Sequence, residues 1–179
     1  EWDCVIIRHS SLQKIPVEAE IEANFIRQQI HEYELALASM KDDAINAKQL
    51  AKSLENLRNK LEQVLQKDKL PMPTFEEIGF DMIVVDEAHF FKNLPVPGKL
   101  SSIKGLAGAK RDTAKAFDLL MKVRYVSSLH GGKRGVVFAT GTPATNSVAE
   151  IYVMLKYLRP DLLEERGISH FDEWARTFA

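Results

Sequence analysis

One stretch of the sequence, from Val17 to Leu70, contains neither glycine nor proline and is rich in Glu, Lys, Leu, Ala and Gln. This composition predicts helix, because these residues have high helix propensity and nothing in the stretch breaks a helix. Two sets of apolar residues within it follow the four-three spacing of a coiled-coil seam. The first set is Ile26, Ile30, Tyr33, Leu37 and Met40, and the second is Leu50, Leu54, Leu57, Leu61 and Val64.

A single helix of about 50 residues would be ~75 Å long at 1.5 Å per residue, and its end would lie far from the apolar segments that follow. An antiparallel hairpin with its turn near residues 41–44 avoids that separation. The charges favour the same pairing, since residues 18–43 carry a net charge of −5 and residues 44–69 a net charge of +3. We therefore predict a helical hairpin, of coiled-coil type, over residues 18–69. The alternative is an ordinary crossover helix followed by a long loop.

Three short apolar runs, Cys4–Ile7, Met82–Val85 and Gly135–Ala139, have the pattern of buried strands. Continuous apolarity suits a strand that is covered on both faces. Helical patterns follow the second and third runs, so strands and helices alternate, as in α/β proteins with a parallel sheet. We therefore predict an α/β fold in which residues 1–17 and 70–179 form a parallel sheet flanked by helices, with the hairpin inserted into it.

Composition excludes several classes of protein. The 179-residue chain is 45% hydrophobic and 27% charged, which lies in the globular range. Its single cysteine, Cys4, permits no internal disulfide, and its five histidines lack metal-ligand spacing. No apolar run approaches the ~18 residues of a membrane span, and the first residues lack the apolar core of a signal peptide. We therefore expect a soluble, cytoplasmic protein with no membrane partner.

Two adjacent acids end the second apolar run, in the sequence Asp86-Glu87-Ala88-His89. Ligands bind at the carboxyl ends of parallel strands. Asp86 would lie where a carboxylate can hold Mg²⁺, and Glu87 where it can orient and deprotonate a water that attacks a γ-phosphate. His89 could follow that chemistry through a hydrogen bond. The alternative is that the two acids merely open a loop.

A second polar turn, Thr140-Gly141-Thr142-Pro143, ends the third apolar run. Gly141 permits a sharp turn, and Pro143 suits the start of a helix. If the two strands are neighbours, the hydroxyls of Thr140 and Thr142 could bond to the side chains of residues 86–89. Taken alone, a turn of this kind is a helix cap.

Together, the two turns resemble motifs II and III of the Swi/Snf-type branch of superfamily-two helicases and translocases. The Lys92-Asn93 pair and Asn146 belong to the same resemblance, and residues 2–11 resemble a family strand whose loop lies near the DNA backbone. The resemblance implies a partial RecA-like first motor lobe of a DNA-dependent ATPase, with Mg²⁺ and ATP as cofactors. It assigns catalytic or coupling roles to five residues: Asp86 as the Mg²⁺ ligand, Glu87 as the group that activates water, and His89, Thr140 and Thr142 as coupling residues.

A strongly basic segment predicts the nucleic-acid partner. From Lys92 to Arg134 there are ten bases and two acids, a net charge of +8. Such a segment binds polyanions because Lys and Arg release counterions from a phosphate backbone. Under the resemblance, five residues would contact the DNA backbone without reading its sequence: Ser10, Ser11, Lys92, Lys110 and Arg111. The alternative is a solvated helix face.

The hairpin and residues 169–175 look most like the large helicase-like proteins of bacterial phages and conjugative elements. Those proteins often join such a motor to an adenine-specific DNA methyltransferase. The Gly-Lys-Ser/Thr phosphate loop and the second motor lobe are not found in the sequence, and both ends look cut. We therefore expect a fragment that is inactive alone and that works with a second lobe of the same ATP-hydrolysing parent. The rival hypothesis is a noncatalytic module that grips a protein partner with the hairpin.

Overall fold

The computed structural model describes residues 3–39, 44–66, 71–97, 110–145 and 149–178. The elements, in chain order, are α1 His9–Leu12, α2 Ala19–Ser39, α3 Ala44–Leu65, α4 Phe75–Ile78, β1 Ile83–Val85, a 3₁₀ helix Ala88–Phe91, α5 Lys110–Leu129, β2 Val136–Phe138, α6 Ala149–Leu158, α7 Pro160–Glu165 and α8 Phe171–Phe178. In this part of the chain, every helix is too short or too polar to cross a bilayer.

The predicted α/β fold with a partial RecA-like sheet is wrong. The described residues are mostly helical, and their sheet consists of two parallel strands of three residues each. In this sheet Ile83 lies opposite Val136, and Val85 lies opposite Phe138. The predicted strand Cys4–Ile7 does not join it.

The reason for this error lies in which faces are covered. Continuous apolarity predicts burial on both faces of the sheet, yet successive side chains of a strand point to opposite faces, and here one face is open. Val84 in β1 is 63% exposed and Val137 in β2 is 43% exposed, whereas Val85 is buried. Ile6, in the predicted first strand, is 95% exposed. The described helices therefore cover one face of a very small sheet.

Helices α2 and α3 pack against each other as an antiparallel pair. Two ion pairs join the helices, Arg58 with Glu34 at 2.7 Å and Lys60 with Glu22 at 3.2 Å. A small apolar cluster closes the seam between them, formed by Tyr33, Ala36, Leu50 and Leu54. The predicted turn between the helices falls on residues 41–44, of which 41–43 lie outside the described residues.

The other end of this helical pair belongs to the main core. The ring of Phe25 packs edge-to-face on Phe117 of α5, with the centroids 5.0 Å apart, and the ammonium of Lys60 lies 4.4 Å from the Phe117 centroid. On α6, Lys156 forms an ion pair with Glu32 at 2.6 Å. One end of the pair α2–α3 is therefore packed onto α5 and α6.

Helix α6 fastens the 3₁₀ helix to α5. The hydroxyl of Tyr157 lies 2.8 Å from the carbonyl oxygen of Ala116 and 3.2 Å from that of Phe91. Burial raises the pKa of Tyr157 well above its ordinary value, so the phenol keeps the proton with which it donates. Because Phe91 ends the 3₁₀ helix that follows β1, this contact fixes the segment behind the first polar turn.

Candidate functional site

The carboxyl ends of β1 and β2 lie side by side, and a polar turn follows each. The backbone N–H of Ala139 donates to the carbonyl of Val85 at 2.8 Å, and the N–H of Ala88 donates to the carbonyl of Ala139 at 3.0 Å. These bonds extend the pairing of the strands into the two turns. The sequences at residues 86–89 and 140–143 are thereby brought to one edge of the sheet.

The imidazole of His89 connects the two turns. Its Nδ1 lies 3.2 Å from Oγ1 of Thr140 and 3.1 Å from Oε2 of Glu87. The same Thr140 oxygen accepts a hydrogen bond from the backbone N–H of Thr142 at 3.1 Å. Three of the five residues predicted to be catalytic, Glu87, His89 and Thr140, therefore have side chains in one chain of polar contacts, and Thr142 joins it through its backbone N–H.

Both acids of the first turn are exposed to solvent. The carboxylate of Asp86 accepts a hydrogen bond from the backbone N–H of Glu87 at 3.0 Å. Glu87 has φ 50° and ψ 46°, the left-handed conformation, which costs a residue with a Cβ about 1 kcal/mol. Strained backbone of this kind persists where surrounding contacts hold it, and it clusters at functional sites.

His9 of α1 holds the first turn from a different side. Its Nε2 donates to the carbonyl oxygen of Asp86 at 3.0 Å, and its ring packs edge-on against Phe91 with the centroids 4.9 Å apart. Helix α1 is itself held by the fully buried Lys122 of α5. The ammonium of Lys122 donates to the carbonyl of Leu12 at 2.6 Å and pairs with Asp118 at 2.8 Å.

Sequence reasoning gave neither His9 nor Lys122 a role in holding the turn. The five histidines show no ligand spacing along the chain, and a contact with a backbone carbonyl leaves no pattern in the sequence. Lys122 lies in the basic segment that predicts a polyanion-binding surface, yet its side chain is fully buried. Its neighbour Asp118, one helical turn earlier on α5, is the signal that suggests a paired lysine instead.

A buried ion pair joins the segments that follow the two turns. Lys92 and Glu150 pair at 3.0 Å, with the Glu150 side chain fully buried and that of Lys92 14% exposed. Glu150 also accepts a hydrogen bond from the backbone N–H of Thr145 at 2.6 Å, and the Lys92 ammonium contacts the Thr145 hydroxyl. The ammonium predicted to contact DNA is thus engaged by a buried carboxylate.

Of the other four residues predicted to contact DNA, the structure describes the side chains of two. Ser10 and Ser11 are exposed on α1. Helix α5 begins at Lys110, but the side chains of Lys110 and Arg111 lie outside the described part of the molecule. From the same basic segment, the ammonium of Lys115 lies 5.4 Å from the ring centroid of Phe90. The predicted DNA contacts remain predictions.

Metal binding was predicted at Asp86 alone. Across the ranges that the structure describes, no group of three or more His, Cys, Asp or Glu side chains has the arrangement of a metal site. A Mg²⁺ ion that arrives with a nucleotide does not need such a group, because it keeps waters and phosphate oxygens as ligands and takes one or two protein carboxylates. The exposed carboxylate of Asp86 fits that mode.

The full chain, residues 1–179, matches a family model described as a probable helicase domain. Over 107 residues it is 31% identical to the "Defense against restriction protein B" of Escherichia phage P1. This alignment covers 59% of the chain and 5% of the phage protein, so the chain spans a small part of that relative's length. No solved structure matches the chain significantly. The predicted relationship to helicases is confirmed at this level, and the similarity to a phage protein supports the predicted link with mobile elements.

Proposed function

Because this chain belongs to the family of probable helicase domains, we propose that it forms part of the ATP-hydrolysing site of a DNA-dependent translocase of the Swi/Snf type. The observation that carries the proposal is the meeting of two turns at one sheet edge. Asp86 and Glu87 follow β1, Thr140 and Thr142 follow β2, and His89 joins them through its 3.2 Å contact with Thr140.

Glu87 is the general base in this proposal. Its carboxylate is exposed, so it can accept a proton from water and orient that water toward a γ-phosphate. The imidazole of His89 lies 3.1 Å from the Glu87 carboxylate and limits the directions in which it can point. The left-handed backbone at Glu87 sets where the side chain leaves the turn.

Asp86 is the proposed ligand for Mg²⁺. When bound, the ion would neutralise charge on the nucleotide phosphates. Asp86 is held in place by two contacts of its own, because its carboxylate accepts from the N–H of Glu87 and its carbonyl accepts from His9. These contacts keep the carboxylate near Glu87 and at the edge of the sheet.

The second turn would report the state of the nucleotide to the rest of the domain. A shift of the Glu87 carboxylate changes its contact with His89, and His89 touches Thr140 directly. Beyond the second turn, Thr145 contacts both partners of the Lys92–Glu150 ion pair. Movement of one turn therefore requires adjustment of the other.

We propose that the backbone of DNA is contacted by Ser10, Ser11, Lys110 and Arg111.

The phage P1 relative is named for defence against restriction. We propose that the present chain serves in a protein of the same broad role, in which a motor acts on DNA. The matched region is a small part of the phage protein, so the other activities of such a protein would come from other regions of it.

The test is ATP hydrolysis by the natural full-length protein that carries this sequence, measured with and without duplex DNA. Glu87→Gln keeps the shape of the side chain and removes the base, so kcat should fall by about 100-fold or more. Glu165→Gln is the control, because Glu165 is an exposed residue at the end of α7. A Glu87→Gln variant as active as wild type would refute the proposal and favour the interaction module.

A further inference from the structure

Two adjacent phenylalanines of the 3₁₀ helix have opposite environments. Phe91 is 1% exposed and belongs to the core, whereas Phe90 is 52% exposed. Core packing accounts for Phe91 but not for a large aromatic ring that stands half in water beside the candidate site.

The exposed ring of Phe90 is surrounded by groups that favour a nucleotide. The ring of His89 lies 4.4 Å away, centroid to centroid, and the ring of His9 lies 6.2 Å away. The ammonium of Lys115 lies 5.4 Å from the Phe90 centroid. Flat π-surfaces beside a cation are the combination that binds single-stranded nucleic acid, because bases stack on the rings and phosphates are attracted to the charge.

The platform is also held rigidly. The 3₁₀ helix that carries Phe90 is bonded to the end of β2 through Ala88, and its last carbonyl, that of Phe91, lies within hydrogen-bond distance of Tyr157. A ring fixed on such a support loses little conformational freedom when a ligand stacks on it, and this lowers the cost of binding.

We propose that Phe90 is a stacking platform for an unpaired base of single-stranded DNA, with Lys115 and the hydroxyls of Ser10 and Ser11 taking the neighbouring phosphates. This inference rests on the proposed function, because it states which form of DNA the domain contacts. Duplex DNA hides the faces of its bases, so the platform requires one strand to be unpaired. The nearby carboxylates of Asp86 and Glu87 do not oppose stacking of the base, because the base is uncharged, and the phosphates are attracted by the ammonium of Lys115.

The experiment uses the natural full-length protein and a single-stranded oligonucleotide that contains 2-aminopurine, whose fluorescence reports stacking. Phe90→Ala should weaken binding about tenfold and remove the fluorescence change, in line with the range for one base–aromatic stack. Phe90→Tyr keeps the ring and should bind within about twofold of wild type. Phe178→Ala is the matched control, since Phe178 is 55% exposed on α8, and it should leave binding unchanged.

Three results would overturn the inference. One is wild-type binding of single strands by Phe90→Ala, and a second is an equal loss for Phe178→Ala. The third is a Phe90→Ala variant with a raised KM for ATP and unchanged affinity for single strands, because the base would then belong to the mononucleotide. Hydrolysis that still depends on Glu87 in any of these cases would leave the proposed function standing. If Phe90→Ala abolished stacking in a protein that does not hydrolyse ATP, the stacking inference would stand and the proposed function would fail.

Discussion

Lys92 follows the first polar turn and Glu150 follows the second, and their ion pair places both charges in the interior. Breaking a buried pair leaves the remaining charge uncompensated, which costs about 3–5 kcal/mol. We expect Glu150→Gln to lower the free energy of unfolding by about 3 kcal/mol in a urea titration, for this reason. The double variant Lys92→Met/Glu150→Gln should recover part of that loss, because no unpaired charge is left buried.

An exposed ion pair of the same kind provides the control. Arg58 and Glu34 pair at 2.7 Å, but their side chains are 58% and 44% exposed. Pairs in this setting contribute about 0–1 kcal/mol, so Glu34→Gln should change stability by no more than that. A loss on Glu150→Gln that is no larger than the loss on Glu34→Gln would contradict the role given to the buried pair.

The location of single candidate residues was predictable from the sequence where it depends on the local pattern alone. Asp86, Glu87 and Thr140 stand at the ends of apolar runs, and this position together with the resemblance to helicase motifs II and III marks them as candidates for a site. The partner of Lys92 was not predictable in this way, because Glu150 becomes its neighbour only after β1 and β2 pair. Lys92 was therefore predicted to contact the DNA backbone, since nothing local indicated a buried carboxylate beside it.

Among the elements, the pair α2–α3 makes a testable contribution to the main core. Phe25 is buried against Phe117 of α5, and truncation of a buried phenylalanine costs about 3–5 kcal/mol. We expect Phe25→Ala to destabilise the entire chain by that amount. In a Trp2→Phe background, the fluorescence of Trp174 on α8 and the helical circular dichroism should therefore change together during unfolding.

The control for this prediction is Leu35→Ala, also on α2. Leu35 is 46% exposed, so its truncation should change stability by less than about 1 kcal/mol. A Phe25→Ala variant in which helical signal is lost while Trp174 stays in its native environment would show a hairpin that unfolds by itself. That outcome would contradict a shared core.

Elements with a strong periodic pattern were predictable, and the sheet was not. The composition of residues 17–70 leaves helix as the favourable local structure, and α2 and α3 occupy it. The apolar runs that end at Val85 and Ala139 contain β1 and β2, whereas the run Cys4–Ile7 contains no strand. Strand formation depends on a neighbour with which to pair and on a covered face, and a run of apolar residues specifies neither.

In the molecule as a whole, the main contribution of the two short strands is to bring the two polar turns together, because a sheet of two strands covers little of the core. Their pairing aligns the two polar turns. The first turn is held from outside by His9 of α1, which donates to Asp86. Lys122 of α5 in turn holds α1, and Tyr157 of α6 contacts the 3₁₀ helix that follows the turn. The candidate site is therefore formed by contacts between distant parts of the chain, and the sequence alone could not predict which side chains surround it.

The most direct test of whether the two turns work as one unit is a double-mutant cycle on ATP hydrolysis by the natural full-length protein. His89→Ala and Thr140→Val each remove one side of the 3.2 Å contact, and each should lower the DNA-stimulated rate about tenfold. The double variant should be no slower than the slower single variant, because the second change removes nothing further. His89→Ala combined with Thr177→Val on α8 should show no such coupling. Losses that multiply in the His89/Thr140 variant, or single variants that keep the wild-type rate, would contradict a coupled site.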